Sequence, residues 1–372
     1  MALKRLIEQS PIFDIYQKVI SEKRISEDDA LRLFQTNDIH TLGLLANTIR
    51  EKKNNNYTYY NINRHIDYSN VCSVSCKFCA FSRFKGEEGA YEFTIDEICK
   101  RAKAALDQEH ITELHIVGGL HPDYPFEWYE NMLRALKHTV PTVHLKCFTA
   151  VEIDFFANKF DMTYEEILKR LKEAGLDSLP GGGAEIFHED IRKQICPGKA
   201  TADQWIQVHE TAHSLGLSTT ATMLYGHIEN YRHRVDHLRR LRELQDKTSG
   251  FQTFIPLAFH PDHTALDQFA RPSGIEDLKT LAISRIYLDN FPHIKAYWIM
   301  LGIKLAQLSL SFGVDDLDGT VIEERIYHMA GADTPEIMTV SQLQKLIREV
   351  GRIPVERDTL YKSLKVQEIA LV

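Results

Sequence analysis

The spacing of apolar residues changes near residue 57. Before that point apolar residues recur at helical intervals, as at Phe13 and Tyr16, and Ser26 followed by three acidic residues is typical of a helix N-terminus. Beyond it the apolar runs become short and strand-like. We therefore predict a helical N-terminal extension over residues 1–56 and a main domain over residues 57–372 that ends in a helical tail.

The main domain alternates apolar runs with amphipathic helical patterns. Eight runs are predicted as strands, at residues 58–66, 113–117, 142–148, 178–179, 218–224, 250–256, 294–299 and 309–313. Strands that alternate with helices form parallel sheets with right-handed crossovers, as in α/β proteins. Eight such units favour a closed TIM-like (β/α)8 barrel over an open doubly wound sheet. In a barrel the functional groups lie in the loops after the strands.

The composition argues against several classes of protein. With 44% hydrophobic residues the chain is too apolar to be disordered. Its 44 basic residues are outnumbered by 52 acidic ones, giving a net charge of −8, which argues against nucleic acid or an anionic membrane as a partner. No apolar run reaches the ~18–20 residues of a membrane span. The charged N-terminal sequence lacks the pattern of a signal peptide, so we expect a cytoplasmic protein.

Three of the six cysteines lie close together, at Cys72, Cys76 and Cys79, directly after the first predicted strand. Their C-x3-C-x2-C spacing predicts a metal centre, because thiolates are soft ligands for iron–sulfur clusters, zinc or copper(I). A structural zinc ion requires four ligands, and His65 could supply the fourth, so zinc stays open as an alternative. On a four-iron cluster, three cysteines leave one iron free to bind a small molecule.

Glycines and a carboxylate follow later predicted strands. Gly118 and Gly119 would let a ligand approach the backbone closely and leave amide groups free for it, although a plain turn is the alternative. Glu152, at the end of the third strand, is a candidate to bind ribose hydroxyls or an amine, or else a solvated charge. Gly182 lies in a triple-glycine turn without the lysine of a phosphate-binding loop. We expect it to line an adenosine or substrate site, unless the turn is only structural.

The cysteine spacing, with Phe78 before the last cysteine, resembles the signature of the radical S-adenosylmethionine (SAM) superfamily. The resemblance implies a [4Fe-4S] cluster held by Cys72, Cys76 and Cys79, on a barrel of the radical SAM type. It also implies that SAM binds the open iron through its amino and carboxylate groups, near Gly118 and Gly119. One electron from the cluster would then give a 5′-deoxyadenosyl radical.

Several longer strings resemble the aminodeoxyfutalosine synthase family of menaquinone biosynthesis, from about residue 58 to beyond residue 330. They are Asn63-Arg-His-Ile, Cys79-Ala-Phe, Gly118-Gly-Leu-His-Pro-Asp, Pro180-Gly-Gly-Gly-Ala-Glu, Pro256-Leu-Ala-Phe-His-Pro and Gly313-Val-Asp-Asp-Leu-Asp-Gly-Thr. Two sister families, the dehypoxanthine futalosine cyclases and the deazaflavin-cofactor synthases, share the cysteine and glycine motifs and stay open as alternatives. A zinc-stabilised barrel hydrolase or binding protein is the more remote alternative.

The family resemblance implies a specific reaction. The adenosyl radical would add to the vinyl carbon of 3-[(1-carboxyvinyl)oxy]benzoate, and rearrangement with loss of a carboxylate would give 6-amino-6-deoxyfutalosine. SAM is then consumed as a co-substrate, and an electron donor such as flavodoxin or ferredoxin is required. A dicarboxylate needs cationic or proton-donating partners, and His121, His260 and Arg271 follow predicted strands where such groups are expected. A surface or core role is the alternative for each of these three residues.

Overall fold

The computed structural model describes residues 2–367 and begins with four helices. They are α1 (Ala2–Glu8), α2 (Phe13–Ile20), α3 (Glu27–Gln35) and α4 (Ile39–Asn54). The hydroxyl of Ser26 accepts from the Asp29 amide, and the Asp29 carboxylate accepts from the Ser26 amide, so both groups cap α3 as its sequence predicts. Helix α3 packs on two later helices, α11 (Tyr231–Thr248) and α12 (Gly274–Tyr287), and α4 packs on α12, so this region covers one side of the barrel.

Seven parallel strands form the main sheet, and they are hydrogen-bonded in chain order. They are β2 (Asn63–Asp67), β3 (Glu113–Val117), β4 (His144–Cys147), β5 (Ser178–Leu179), β6 (Ser218–Tyr225), β7 (Phe251–Ala258) and β8 (His293–Ile294). Crossover segments containing helices connect them, which is the arrangement that the alternating pattern predicts.

An eighth strand, β9 (Asp316–Gly319), fills the gap between β8 and β2. Parallel bridges join Lys295 to Asp316 on one side and Arg64 to Ile322 on the other. The chain therefore folds as the TIM-like α/β barrel that we expected. Strand β9 also belongs to a second sheet of order β11–β10–β1–β9, with β1 (Tyr57–Asn61), β10 (Ile353–Arg357) and β11 (Ser363–Val366).

Three predicted strands need correction. The run 58–66 divides into β1 and β2, which belong to different sheets. The run 294–299 is strand only at its start, because helix α13 (Trp298–Leu301) begins within it. The run 309–313 is the end of helix α14 (Ile303–Ser309) and a turn. Short buried apolar runs have no period that separates strand from helix, which is why the sequence misplaced the last two. The tail also differs from prediction, since β10 and β11 follow its last helix.

The remaining helices surround the barrel or follow it. Around the barrel are α5 (Ile95–Glu109), α6 (Phe126–Thr139), α7 (Ala150–Phe160), α8 (Tyr164–Ala174), α9 (Glu189–Ile195), α10 (Ala202–Ser214), α11 (Tyr231–Thr248) and α12 (Gly274–Tyr287). After β8 come α13 (Trp298–Leu301), α14 (Ile303–Ser309), α15 (Ile326–Met329) and α16 (Val340–Glu349). Within residues 2–367, no helix combines the length and the apolar character that crossing a membrane requires.

Candidate active site

The loop after β2 carries three half-buried cysteines, Cys72, Cys76 and Cys79, whose side chains line one cavity. Two of the sulfur atoms accept backbone hydrogen bonds at 3.4 Å, Cys72 Sγ from the amide of Leu120 and Cys79 Sγ from the amide of Ser82. Such N–H···S contacts stabilise negative charge on sulfur and tune iron–sulfur centres. The cavity lies at the carboxyl ends of the barrel strands, where barrel enzymes place their active sites.

The donor set of this loop fits an iron–sulfur cluster. Among the described residues, no group of three or more His, Cys, Asp or Glu converges closely enough to hold a single metal ion. A four-iron cluster makes a different demand, because it places each cysteine on a different iron around a common centre. Burial raises the pKa of the Cys76 thiol to about 12, so bound iron would have to stabilise the thiolate. Phe78 also lines the cavity, with Lys199 Nζ 5.2 Å from its ring centroid.

Gly118 and Gly119 lie where the β3 loop presses against the cysteine loop. A Cβ atom on Gly119 would stand 2.2 Å from the Val71 carbonyl oxygen, and one on Gly118 would stand 2.4 Å from the Tyr68 ring. The Gly119 amide donates to the carbonyl of Ser69 at 2.8 Å, so it is not free for a ligand as the sequence suggested. Both glycines line the cavity, and they also allow the two loops to pack closely.

Glu152 lies in the first turn of helix α7, not at a strand end as the sequence suggested. Its carboxylate accepts from the amide of Thr149 at 2.7 Å, from the Thr149 hydroxyl at 2.9 Å and from the Tyr68 hydroxyl at 2.9 Å. Burial raises the pKa of Glu152 to about 7, although these hydrogen bonds oppose the shift. Glu152 lines the cavity as a carboxyl group poised near neutrality.

The triple-glycine turn after β5 forms another wall of the cavity. The amide of Gly181 donates to the Thr220 hydroxyl at 2.8 Å, and the Gly181 carbonyl accepts from the Thr222 hydroxyl at 2.7 Å. Gly182 lines the cavity and accepts from the indole nitrogen of Trp205 at 3.2 Å. The turn is thus fixed by its neighbours while its backbone faces the cavity.

The three residues expected to bind the carboxylates of the substrate do not line this cavity. His121 Nδ1 accepts from two backbone amides at 3.2 Å, and its Nε2–H donates to Glu92 at 2.5 Å. His260 is buried, with Nε2 2.9 Å from the Met300 carbonyl oxygen. Arg271 lies at the surface, where it donates to Asp262 at 2.7 Å and to the Gly331 carbonyl at 2.6 Å. In the structure each of the three groups is engaged in local contacts outside the cavity.

The barrel strands supply charged cavity residues that the sequence analysis missed. Lys146 Nζ lies 3.0 Å from a Glu113 oxygen, and Lys295 Nζ lies 3.0 Å from an Asp318 oxygen, with all four side chains buried. A signal for these residues existed, because charged residues occupy alternate positions in strands that otherwise read as buried. Such positions face a barrel interior, where a charge requires a partner.

Two family descriptions match the chain. Residues 66–241 match the Radical SAM superfamily, and this range contains the three cysteines. Residues 248–370 match the CofH/MqnC C-terminal region.

Relatives of known name cover almost the whole chain. The "Aminodeoxyfutalosine synthase" of Thermus thermophilus is 49% identical over 369 residues, which are 97% of this chain and 98% of that protein. The chain belongs to the aminodeoxyfutalosine synthase family of the radical SAM superfamily. The family member from Streptomyces coelicolor is 46% identical, over 95% of this chain and 94% of that protein.

A sister family and a solved structure are also similar to this chain. The "5-amino-6-(D-ribitylamino)uracil--L-tyrosine 4-hydroxyphenyl transferase" of Methanocaldococcus jannaschii is 40% identical, over 92% of this chain and 98% of that protein. The crystal structure of methylornithine synthase has a TM-score of 0.73 at 17% identity, and covers 91% of this chain and 96% of that chain. This second likeness agrees with the barrel fold described above.

Proposed function

We propose that this chain is an aminodeoxyfutalosine synthase that joins the 5′-deoxyadenosyl group of SAM to 3-[(1-carboxyvinyl)oxy]benzoate. Rearrangement and loss of a carboxylate as carbon dioxide or bicarbonate give 6-amino-6-deoxyfutalosine, and methionine is released. One observation carries the proposal: Cys72, Cys76 and Cys79 line one cavity at the carboxyl ends of the barrel strands, in a chain that belongs to this family.

The three cysteines of the β2 loop would hold a [4Fe-4S] cluster. A cluster held there would supply the electron for the cleavage of SAM, and the iron without a cysteine ligand would be available to the methionine part of SAM. The hydrogen bonds that Leu120 and Ser82 donate to the sulfur atoms would stabilise the thiolates.

The walls nearest the cysteines would hold SAM. The chain at Gly118, Gly119 and Gly182 lines the cavity, and its backbone could contact a nucleoside there. Glu152 faces the same space, and its near-neutral pKa lets it accept from an amine or a hydroxyl when ionised. Phe78 adds an apolar surface on the cysteine side.

Apolar side chains in the cavity wall would shield the reacting carbon atoms. Val117, Ile255 and Leu257 line the cavity from two strands, and Tyr297 adds an aromatic surface. An addition reaction requires the alkene to be held near C5′ of SAM with water and stray hydrogen donors excluded. Fixed strand side chains can provide that positioning because the barrel holds their backbone rigidly.

We also propose an electron donor such as flavodoxin or ferredoxin as partner, and a cytoplasmic location. Six free thiols and an iron–sulfur site fit a reducing compartment. Reduction of the cluster would occur from the side of the cysteine loop, because Cys72 and Cys79 also border a second, outer depression with Arg83 and Phe84.

Product analysis tests the proposed function. We expect the reduced holoenzyme, given SAM and 3-[(1-carboxyvinyl)oxy]benzoate, to form 6-amino-6-deoxyfutalosine as a covalent adenosyl product detected by mass spectrometry. The matched comparison replaces the dicarboxylate with tyrosine and 5-amino-6-(D-ribitylamino)uracil, the pair named for the sister family. Free 5′-deoxyadenosine as the main product in the first reaction, or turnover only with the second pair, would contradict the proposal.

A further inference from the structure

The end of the cavity furthest from the cysteines is lined by lysine, histidine and carboxylate side chains. None of them has a role in the binding of the cluster or SAM proposed above. We call this end the inner subsite. It consists of His65, Glu113, His115, Lys146, Lys295 and Asp318. The order along β3 fixes its position, because Glu113 and His115 precede Val117, and Val117 precedes Gly118. At about 3.3 Å per residue, His115 lies about 7 Å deeper in the barrel than Val117.

The two lysines of the inner subsite have donors to spare. Lys146 and Lys295 are each buried and each bonded at 3.0 Å to one carboxylate. Each ammonium group is paired with a buried carboxylate, which offsets part of the cost of burying its charge. An ammonium group has three N–H donors. Each lysine makes one side-chain hydrogen bond among the described residues, which leaves two donors on each for a ligand in the cavity.

His65 and His115 form a cross-strand pair beside Lys146. Their rings stack at 4.5 Å between centroids with an angle of 11° between planes. Neither ring makes a hydrogen bond to another described residue, and both line the cavity. Burial lowers the pKa of both imidazoles, that of His115 to well below its ordinary value. Each neutral ring therefore offers one N–H donor and one acceptor to a ligand.

The cavity wall also carries apolar side chains, which we call the apolar belt: Val117 lies between the inner subsite and Gly118 along β3, and β7 contributes Ile255 and Leu257. Along β3 from the inner subsite towards the cysteine loop, the cavity presents charged and polar groups, then an apolar side chain, then the glycines beside the proposed cluster site. A matching ligand has an anionic group at one end, a flat apolar ring and a reactive group at the other end. We propose that the inner subsite binds the ring carboxylate of the substrate through Lys146, Lys295 and the His65–His115 pair. The aromatic ring then contacts the apolar belt, and the alkene faces SAM. This inference rests on the proposed function.

The inference is tested by variants of the inner subsite, which should lose affinity only for a ligand that carries the ring carboxylate. The probes are 3-[(1-carboxyvinyl)oxy]benzoate and 2-phenoxyacrylate, which lacks only that carboxylate, and Kd is measured by equilibrium dialysis with oxidised holoenzyme and SAM. For wild type we expect the dicarboxylate to bind about 10- to 100-fold more tightly, as charged hydrogen bonds imply. The double variant Glu113→Gln/Lys146→Met removes both charges together, because Lys146→Met alone would leave a buried carboxylate unpaired.

The selectivity ratio is the Kd of 2-phenoxyacrylate divided by the Kd of the dicarboxylate. We expect this ratio to fall at least about fivefold in the double variant, while the Kd of 2-phenoxyacrylate stays as in wild type. His115→Phe keeps a flat ring and provides a second variant in case the first does not fold; its ratio should fall at least about threefold. Lys279→Met is the control, since Lys279 is a buried lysine that donates to the Phe34 carbonyl outside the cavity. Its ratio should match wild type.

The outcomes separate the two claims. A folded, iron-loaded variant that keeps the wild-type ratio would overturn the inner subsite as the site of the ring carboxylate. Wild-type enzyme that neither binds nor converts the dicarboxylate would instead overturn the proposed function.

Discussion

At the scale of single residues, the chemistry of the cavity depends on how each group is buried and paired. Glu152 is buried with three hydrogen bonds from Tyr68 and Thr149, yet its pKa rises to about 7. Loss of water around the half-buried Cys76 thiol raises its pKa to about 12, and the nearby charge of Lys199 only partly offsets that rise. Burial therefore keeps the Cys76 thiol protonated near neutral pH, whereas Glu152 gains or loses its proton in that range.

Replacing Cys76 with Ala removes one of three proposed iron ligands. We expect the variant to lose most of its iron and sulfide and all product formation, because two thiols cannot hold a four-iron cluster securely. Iron and acid-labile sulfide are measured after anaerobic purification. Cys99→Ala is the control, since Cys99 is a half-buried free thiol on helix α5, and it should keep wild-type iron. A full iron complement in Cys76→Ala would rule out the ligand assignment.

Glu152 makes stability depend on pH. Its pKa rises from about 4.5 in the unfolded chain to about 7 in the folded protein, so the folded state keeps a proton that the unfolded state releases. The free energy of unfolding should therefore fall by about 3 kcal/mol as pH rises through this interval, and stay at the lower value above it. Glu152→Gln keeps the hydrogen bonds with Thr149 and has no proton to release.

Denaturant unfolding at about pH 5 and about pH 8 measures this difference. We expect the fall in stability to be smaller in Glu152→Gln than in wild type. Equal falls in the two proteins would mean that Glu152 does not retain its proton on folding.

At the scale of elements, the site depends on close packing between the loops that follow β2 and β3. The β3 loop meets the cysteine loop at Gly119, and the hydrogen bond from Leu120 to Cys72 crosses the same contact. Glycine is required there by space, because the nearest atoms belong to backbone that cannot rotate away.

Gly119→Ala should therefore displace the cysteine loop. The added Cβ would lie 2.2 Å from the Val71 carbonyl oxygen, and we expect a loss of about 1–3 kcal/mol in stability together with weaker cluster retention. Gly274→Ala is the control, since its Cβ would meet Leu305 at 3.6 Å, an ordinary contact. Thermal unfolding and iron content measure both effects. Wild-type behaviour of Gly119→Ala would show that the loops are not packed this closely.

Local signals in the sequence placed many elements correctly and failed where they conflicted with tertiary context. Thr94, Thr163 and Thr201 each cap a helix through a capping box, which is a pattern that can be read from the sequence. Helix α7 was missed, although Thr149 and Glu152 form the same capping pattern, because Glu152 was interpreted only as a strand-end acid. The buried run after β8 turns helical at Trp298, which no local period indicates.

The sequence predicts the part of the site whose residues lie close together in one motif. It does not predict ion pairs between residues that are far apart in the sequence. The spacing of Cys72, Cys76 and Cys79 was enough to predict that they share a cavity. Lys146 and Glu113 meet only because β3 and β4 are neighbours in the barrel, and single-sequence patterns cannot pair them. His121 was predicted to bind substrate, but it accepts hydrogen bonds from its own loop. The sequence cannot separate these two roles, because a histidine that follows a strand has the same local pattern in both.

At the scale of the whole molecule, the N-terminal helices are joined to the barrel through a buried arginine. Arg50 on α4 is fully buried and donates to the carbonyls of Val314 and Asn55, at 3.3 and 2.7 Å, and to the Thr58 hydroxyl at 2.8 Å. These acceptors lie near the starts of β1 and β9. The arginine therefore links the helical region to β1 and to β9, the strand that closes the barrel.

Arg50→Met should destabilise the whole protein by about 3 kcal/mol or more, because several buried acceptors lose their donor. Arg24→Met is the control, since Arg24 forms exposed ion pairs with Asp246 and Asp289, and exposed pairs contribute about 1 kcal/mol or less. Denaturant midpoints of the two variants measure the difference. A midpoint for Arg50→Met within the range of Arg24→Met would contradict the link between helices and barrel.

The central claim is that three cysteines leave one iron of the cluster open to SAM. Electron–nuclear double resonance of the reduced holoenzyme, with SAM labelled with nitrogen-15 at its amino group and oxygen-17 at its carboxylate, measures this contact directly. We predict hyperfine coupling of both labels to the cluster. A cluster signal that shows no coupling to either label would contradict the account.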